Sequence, residues 1–197
     1  MTDVIQRPVT LQRIRASAAA LFRQKGYAPT TMRDVSEAVG LSKAGLYHHY
    51  ESKELLLLDI AESGTALLLD QLRAVERLDA DPTQKLEAFV RGRMETIAAN
   101  QDILAVIWQE RPAIGTEAFA NVADRLRQYR AGVVDLIAAA QRSGAIDPDV
   151  DPHLLMLAID GMTGWSYLWF RSDGSYSSTT IGTSFWNYLL SGVSGKR

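Results

Sequence analysis

In the stretch TMRDVSEAVGLSKAGLYHHYESK, residues 31–53, side chains with charge and hydrogen-bonding chemistry recur at short, regular spacing. Lys43, Tyr47 and His48, with Ala44 and Gly45 between them, share one face of a short helical pattern. Leu46 and Tyr50 share the other, one turn apart. A cation, a phenol, an imidazole and two very small residues make a poor core face. They suit a helix lying in the major groove of DNA, where an ammonium reaches guanine O6 and N7 and an alanine meets a thymine methyl. Lys43 is the first candidate for base reading, Ala44 for the thymine methyl, and Gly45 for close approach of the backbone. His48 is placed to touch base or backbone. Thr31 and Lys53 are expected to hold phosphates, which position a protein without reading sequence.

These side chains need two short helices and a tight turn to present them. Thr31 has the hydroxyl that accepts free amide hydrogens at a helix start. Val35, Ala38 and Val39 then supply an apolar face. Gly40 stands where a left-handed residue ends that helix, a conformation glycine takes without a Cβ penalty. Ser42 caps the second helix, and the whole reads as a helix-turn-helix. Residues 10–26 form a supporting amphipathic helix with Leu11, Ile14, Ala18, Leu21 and Phe22 on one side and Gly26 as its stop. Ser52 caps a further helix in which Lys53 occupies the first turn, where the helix dipole disfavours a cation. A phosphate sharing that helix start would reverse the sign of the interaction.

Thr31, Asp34-Val35, Ala38, Gly40-Leu41-Ser42, Leu46-Tyr47-His48-His49-Tyr50 and Ser52-Lys53 resemble the DNA-binding signature of the tetracycline-repressor (TetR) family, over about residues 10–60. The resemblance implies an all-α homodimeric repressor that binds palindromic double-stranded operator DNA. It also implies a C-terminal domain whose small-molecule effector loosens the grip on DNA. On the same grounds Arg33 falls at a base-reading position, and Tyr47 and His49 at positions that hold phosphates. Segment Trp165–Gly182 is similar to a subgroup that controls fatty-acid or steroid breakdown and responds to acyl-CoA thioesters. A pocket for aromatic or cationic drugs, or a DNA-binding regulator with no effector, are the alternatives.

Composition agrees with a DNA partner at one end only. Of 197 residues with a net charge of −2, residues 1–53 carry eight Lys/Arg against four Asp/Glu, a net of +4. The remainder carries thirteen against nineteen, a net of −6. There are no cysteines, so disulfides and thiolate metal sites are excluded. No apolar run approaches the roughly 18–20 residues of a membrane span, and a cytoplasmic location is expected.

Beyond residue 54 the pattern is helical throughout. Helices are expected from about Pro82 to Asn100, across DILAVIWQE up to Arg111-Pro112, from Thr116 to Ser143, from Pro152 to Arg171, and from Thr179 to Gly192. The total is about nine, and the tail SGKR is expected to be disordered. Two domains follow: residues 1–53 for DNA binding, residues 54–197 for ligand binding and dimerisation. His48, His49 and His153 are the only histidines, and no HExxH, phosphate loop or nucleophile elbow occurs. Asp147, Asp149 and Asp151 read as capping and turn residues rather than calcium ligands. No enzyme, metal or cofactor is expected. Met94, Ile97, Trp108, Phe119, Tyr129, Met156, Met162, Trp165, Trp169 and Phe170 are the expected lining of an effector pocket, where methionine adapts to irregular shapes. Arg91, Arg93 or Arg130 would pair with an anionic ligand, and Glu95 and Asp160 are the acids within the apolar faces. Ile159, Met162, Phe185, Trp186, Leu189 and Leu190 are expected to pair with a second copy in a four-helix bundle, with Gly161 and Gly164 allowing close contact.

Overall fold

The computed structural model describes residues 6–110 and 117–193, with the side chains of residues 6–10 outside that description. The expected stop at Arg111-Pro112, the helix start at Thr116 and the tail Ser194–Arg197 lie outside the described residues. Within them the chain is all-α, with ten helical segments and no strand. They are α1 (Gln6–Lys25), α2 (Met32–Val39), α3 (Lys43–His49), α4 (Lys53–Glu76), α5 (Pro82–Ala99), α6 (Gln101–Gln109), α7 (Ala120–Arg142), α8 (Pro152–Gly164), α9 (Ser166–Trp169) and α10 (Ser178–Val193).

Packing divides the chain into two compact units. The first holds residues 1–65 and 101–122, so the start of α4 and all of α6 belong with the helix-turn-helix. This packing unit therefore runs past residue 53, where the DNA-binding domain was expected to end. The reason is that α6 packs along α1, and Arg23 reaches across to Asp102 at 2.7 Å. Ile14, Ala18, Phe22, Val35, Val39, Leu46, Leu56, Leu57, Ile60 and Val106 fill this unit's core. Leu46 and Tyr50, the inward face of α3, are buried in it.

The helix ends in this unit obey their local chemistry. Thr31 and Asp34 form a reciprocal capping box: the Thr31 hydroxyl accepts the Asp34 amide, and the Asp34 carboxylate accepts the Thr31 amide. Gly40 ends α2 at φ +72°, and Ser42 caps α3 by accepting the Gly45 amide at 3.0 Å. Gly26 and Gly144 end α1 and α7 with φ near +87° and +81°.

The second unit comprises residues 66–100 and 123–197. In it α10 packs on α5, where Gly182 lies against the backbone of Arg91. Leu86, Phe89, Val90, Met94, Ile97, Tyr129, Val133 and Ile137 form its interior. Asp81 and Gln84 box the start of α5, and Asp151 caps α8. The expected single helix from Pro152 to Arg171 is interrupted after Gly164. Thr163 donates its hydroxyl to the carbonyl of Ile159 and Ser166 donates to that of Thr163. Such side-chain bonds compete with the helical ladder and bend it.

Candidate nucleic-acid interface

The outer face of α3 carries Ser42, Lys43, Ala44, Tyr47 and His48 exposed, with Gly45 and His49 half-buried. The Lys43 ammonium lies 5.8 Å from the centre of the Tyr47 ring, and His48 meets His49 edge to face. Arg33, Lys43 and Tyr47 line one open hollow of about 410 Å³, together with Thr31, Ser52 and Lys53. The structure thus places Thr31, Arg33, Lys43, Tyr47 and Lys53 on one concave face, while Ser42, Ala44, Gly45, His48 and His49 lie outside its lining. Glu51 and Glu54 also border it, so the hollow is not uniformly basic.

Two expected phosphate holders are otherwise engaged. The Thr31 hydroxyl donates to the Asp34 carboxylate at 2.6 Å. That bond, the Thr31 amide and Lys25 at 3.4 Å hold the Asp34 carboxyl down to about 2. Lys53 is the more fully engaged. Its ammonium donates to the carbonyls of Tyr27, Ala28 and Thr30 at 2.9, 3.2 and 2.9 Å, and sits 4.2 Å from the Tyr27 ring centre. An ammonium has three donors, and here each faces a carbonyl oxygen. The lysine ties the turn after α1 to the start of α4.

A network that sequence reasoning missed anchors the reading helix. Tyr50, the residue that ends α3, donates its phenol to Asp59 on α4 at 2.5 Å. Arg15 on α1 clasps the same carboxylate with Nε at 2.5 Å and a terminal nitrogen at 3.0 Å. Burial, then the Asp59 bond, push the Tyr50 phenol above its ordinary range. Tyr27 is a second hub: its phenol donates to Glu54 at 3.2 Å, and its amide donates to Glu110 at 3.3 Å. Burial and then Glu54 raise that phenol to about 12. The signal was present, since Asp59 interrupts the apolar series Leu56, Leu57, Ile60 and Arg15 adjoins Ile14. A half-buried acid among leucines is stabilised by a cation on a neighbouring element.

The residues expected to line an effector pocket divide between the units. Trp108 and Phe119 fall in the first, where Phe119 is buried. In the second, Met94, Ile97, Tyr129, Met156 and Phe170 are buried and Met162 is half-buried. Trp165 and Trp169 are 61% and 49% exposed, which corrects their placement among pocket residues. They sit at the α8–α9 break, where their rings turn outward. The interface set is corrected in the same way: Ile159 and Trp186 are buried within the unit itself and are core residues. Phe185, Leu189 and Leu190 remain half-exposed. Arg91 pairs with Glu87 one turn away, and Arg130 is exposed. Arg93, only 1% exposed, places a terminal nitrogen 3.4 Å from Asp160 and its guanidinium 5.0 Å from the Tyr129 ring centre. Asp160 also accepts from the Tyr129 phenol at 3.4 Å.

A family profile described as "Bacterial regulatory proteins, tetR family" matches residues 14–60, and one described as "Tetracyclin repressor-like, C-terminal domain" matches residues 79–193. The chain belongs to the tetracycline-repressor family. As a TetR-family protein it is a DNA-binding transcriptional repressor and not an enzyme. Among its relatives, the repressor KstR2 of Mycobacterium tuberculosis is 26% identical over 177 residues, 89% of this chain and 88% of that protein. The solved structure of that ketosteroid transcriptional regulator superposes with a TM-score of 0.86, covering 94% of this chain and 95% of that one. AibR, solved in complex with isovaleryl coenzyme A and operator DNA, is 30% identical with a TM-score of 0.82, covering 92% and 98% of the two chains. Among the described residues, no helix is long and apolar enough to cross a membrane.

Proposed function

We propose that this TetR-family protein represses from a palindromic operator in the cytoplasm and is released by a small hydrophobic effector of the acyl-CoA thioester class. The observation that carries the DNA half is the single concave face formed by Arg33, Lys43 and Tyr47 on a capped helix-turn-helix. Lys43 reads a base, Ala44 and Gly45 permit close approach, and Tyr47, His48 and His49 meet the backbone or adjoining base edges. The effector class is supported by likeness along nearly the whole chain to a repressor solved with isovaleryl coenzyme A and to one named for ketosteroid regulation. Arg93, Asp160 and Tyr129 add a charged cluster to an otherwise apolar interior, suited to orienting the polar end of such a ligand.

The test has two parts. Lys43→Ala and Tyr47→Ala are expected to abolish operator retardation in gels while circular dichroism and subunit assembly stay unchanged. Undiminished affinity in either variant would remove that residue from the interface. Thermal-shift screening then compares acyl-CoA thioesters, free acids and cationic aromatic drugs, because a ligand bound to the native state raises its melting temperature. An acyl-CoA that both stabilises the protein and releases DNA is the expected result. Response to the drugs alone would overturn the effector class and leave the DNA half standing.

A further inference from the structure

We infer that Glu37 is a specificity-determining residue of the DNA-binding face: by holding the Nε edge of Arg33, it presents that guanidinium's terminal nitrogens as a fork for one guanine in each operator half-site. The inference rests on the DNA-binding reading proposed above. Arg33 donates from Nε to the Glu37 carboxylate at 2.7 Å, one turn along α2. The side chains are 80% and 62% exposed, and among the described residues the two terminal nitrogens of Arg33 make no hydrogen bond.

This pair has little to do with folding. An exposed ion pair one turn apart contributes little to stability, and a cation preceding an acid is the weaker of the two orders on a helix. Arg33 also lies in the first turn of α2, where the helix dipole disfavours a cation. On the DNA side, a carboxylate beside a phosphate-lined groove is repelled. Two local penalties without a folding gain mark a residue kept for function. Asp34, the neighbouring acid, is already engaged by Thr31 and Lys25 and does not compete for Arg33. Arg33 borders the same hollow as Lys43 and Tyr47.

The guanidinium is a planar, rigid fork, and the pair of terminal nitrogens matches guanine O6 and N7. Arginine on a solvent-exposed helix samples many rotamers, and ordering them costs binding free energy. Tethering Nε removes much of that freedom before DNA arrives and leaves the end-on pair unobstructed. Lys43 has no such planar edge, so Arg33 supplies the bidentate contact and Lys43 a single charge.

The experiment uses the full-length protein and a randomised palindromic duplex library. Failure of the wild-type protein to enrich any duplex would overturn the DNA-binding reading and this inference with it. Wild type, Arg33→Ala, Glu37→Ala and Glu37→Gln are then titrated against the selected duplex and its single-base variants. Arg33→Ala is expected to lose the preference for one guanine per half-site. Glu37→Ala should weaken the same preference by about twofold, the factor that an exposed one-turn ion pair can supply, and leave the other positions unaltered. Glu37→Gln, whose amide oxygen still accepts from Nε, should retain most of it. A Glu37→Ala protein with its guanine preference intact would overturn the inference. So would a change in affinity equal for all duplexes: uniform tightening would mean that Glu37 only repels phosphate, uniform weakening that it only supports α2. An Arg33→Ala protein with undiminished guanine preference would overturn it as well.

Discussion

Lys53 shows how a residue's type can be read correctly and its partner missed. A lysine in the first turn of a helix faces an unfavourable dipole, and an external phosphate is one remedy. The protein uses another: the carbonyls of Tyr27, Ala28 and Thr30, in the turn where the chain leaves α1, surround the ammonium. Sequence spacing could not place those carbonyls, because residues 27 and 53 are brought together by packing rather than by helical period. The two roles differ in their salt dependence. A phosphate contact contributes about one unit to the salt slope of DNA binding, whereas a loop clamp contributes none. Lys53→Met is therefore expected to lower stability by about 1.5–3 kcal/mol, the range for hydrogen bonds to a charged group. It should weaken binding to all duplexes with the salt slope unchanged. A shallower slope at unaltered melting temperature would return Lys53 to the phosphate backbone.

At the scale of elements, caps and stops were the most legible features. Thr31, Gly40, Ser42 and Asp151 each stand where their chemistry requires, since a cap depends on residues within one turn. The break in the helix after Gly164 was not legible. Thr163 and Ser166 are compatible with a helix until their hydroxyls are buried and must find backbone carbonyls. The close approach of α10 to α5 at Gly182 was likewise not legible. A Cβ on Gly161 would meet nothing within 4 Å, while one on Gly182 would lie 2.9 Å from the Arg91 Cα and 3.0 Å from its carbonyl oxygen. Backbone cannot swing aside as a side chain can. Gly182→Ala is expected to cost about 2–3 kcal/mol, at the upper end of overpacking penalties, and to lower the melting temperature of the C-terminal unit. A neutral effect on denaturant midpoint would show that α5 and α10 can separate freely.

At the scale of the molecule, the expected four-helix pairing with a second copy survives as a proposal on a different surface. Ile159 and Trp186 are core residues, so their helical faces cannot also meet a partner. The stripe one side further round α8 is apolar and exposed: Leu154, Leu157, Ala158, Gly161, Trp165 and Leu168 recur at intervals of three, four and seven, and Tyr188 on α10 is 67% exposed. The alternation of large side chains with Ala158 and Gly161 gives a ridge and a groove that a two-fold related copy can fill with its own. A solvent-exposed stripe of this kind marks an interaction site more often than it marks a free surface. Two reading heads must also be spaced about 34–36 Å apart to enter successive major grooves, so the dimer face governs DNA affinity without touching DNA. Leu157→Glu places a charge in the middle of that stripe, where it remains solvated in a monomer and is desolvated in a dimer. The expected outcome in sedimentation experiments is a folded monomer with an unchanged melting profile for its core. Its affinity for a full palindrome should fall to that for a half-site. Wild-type assembly in Leu157→Glu, together with dissociation in a Leu189→Glu control, would move the interface from α8 to the half-exposed face of α10.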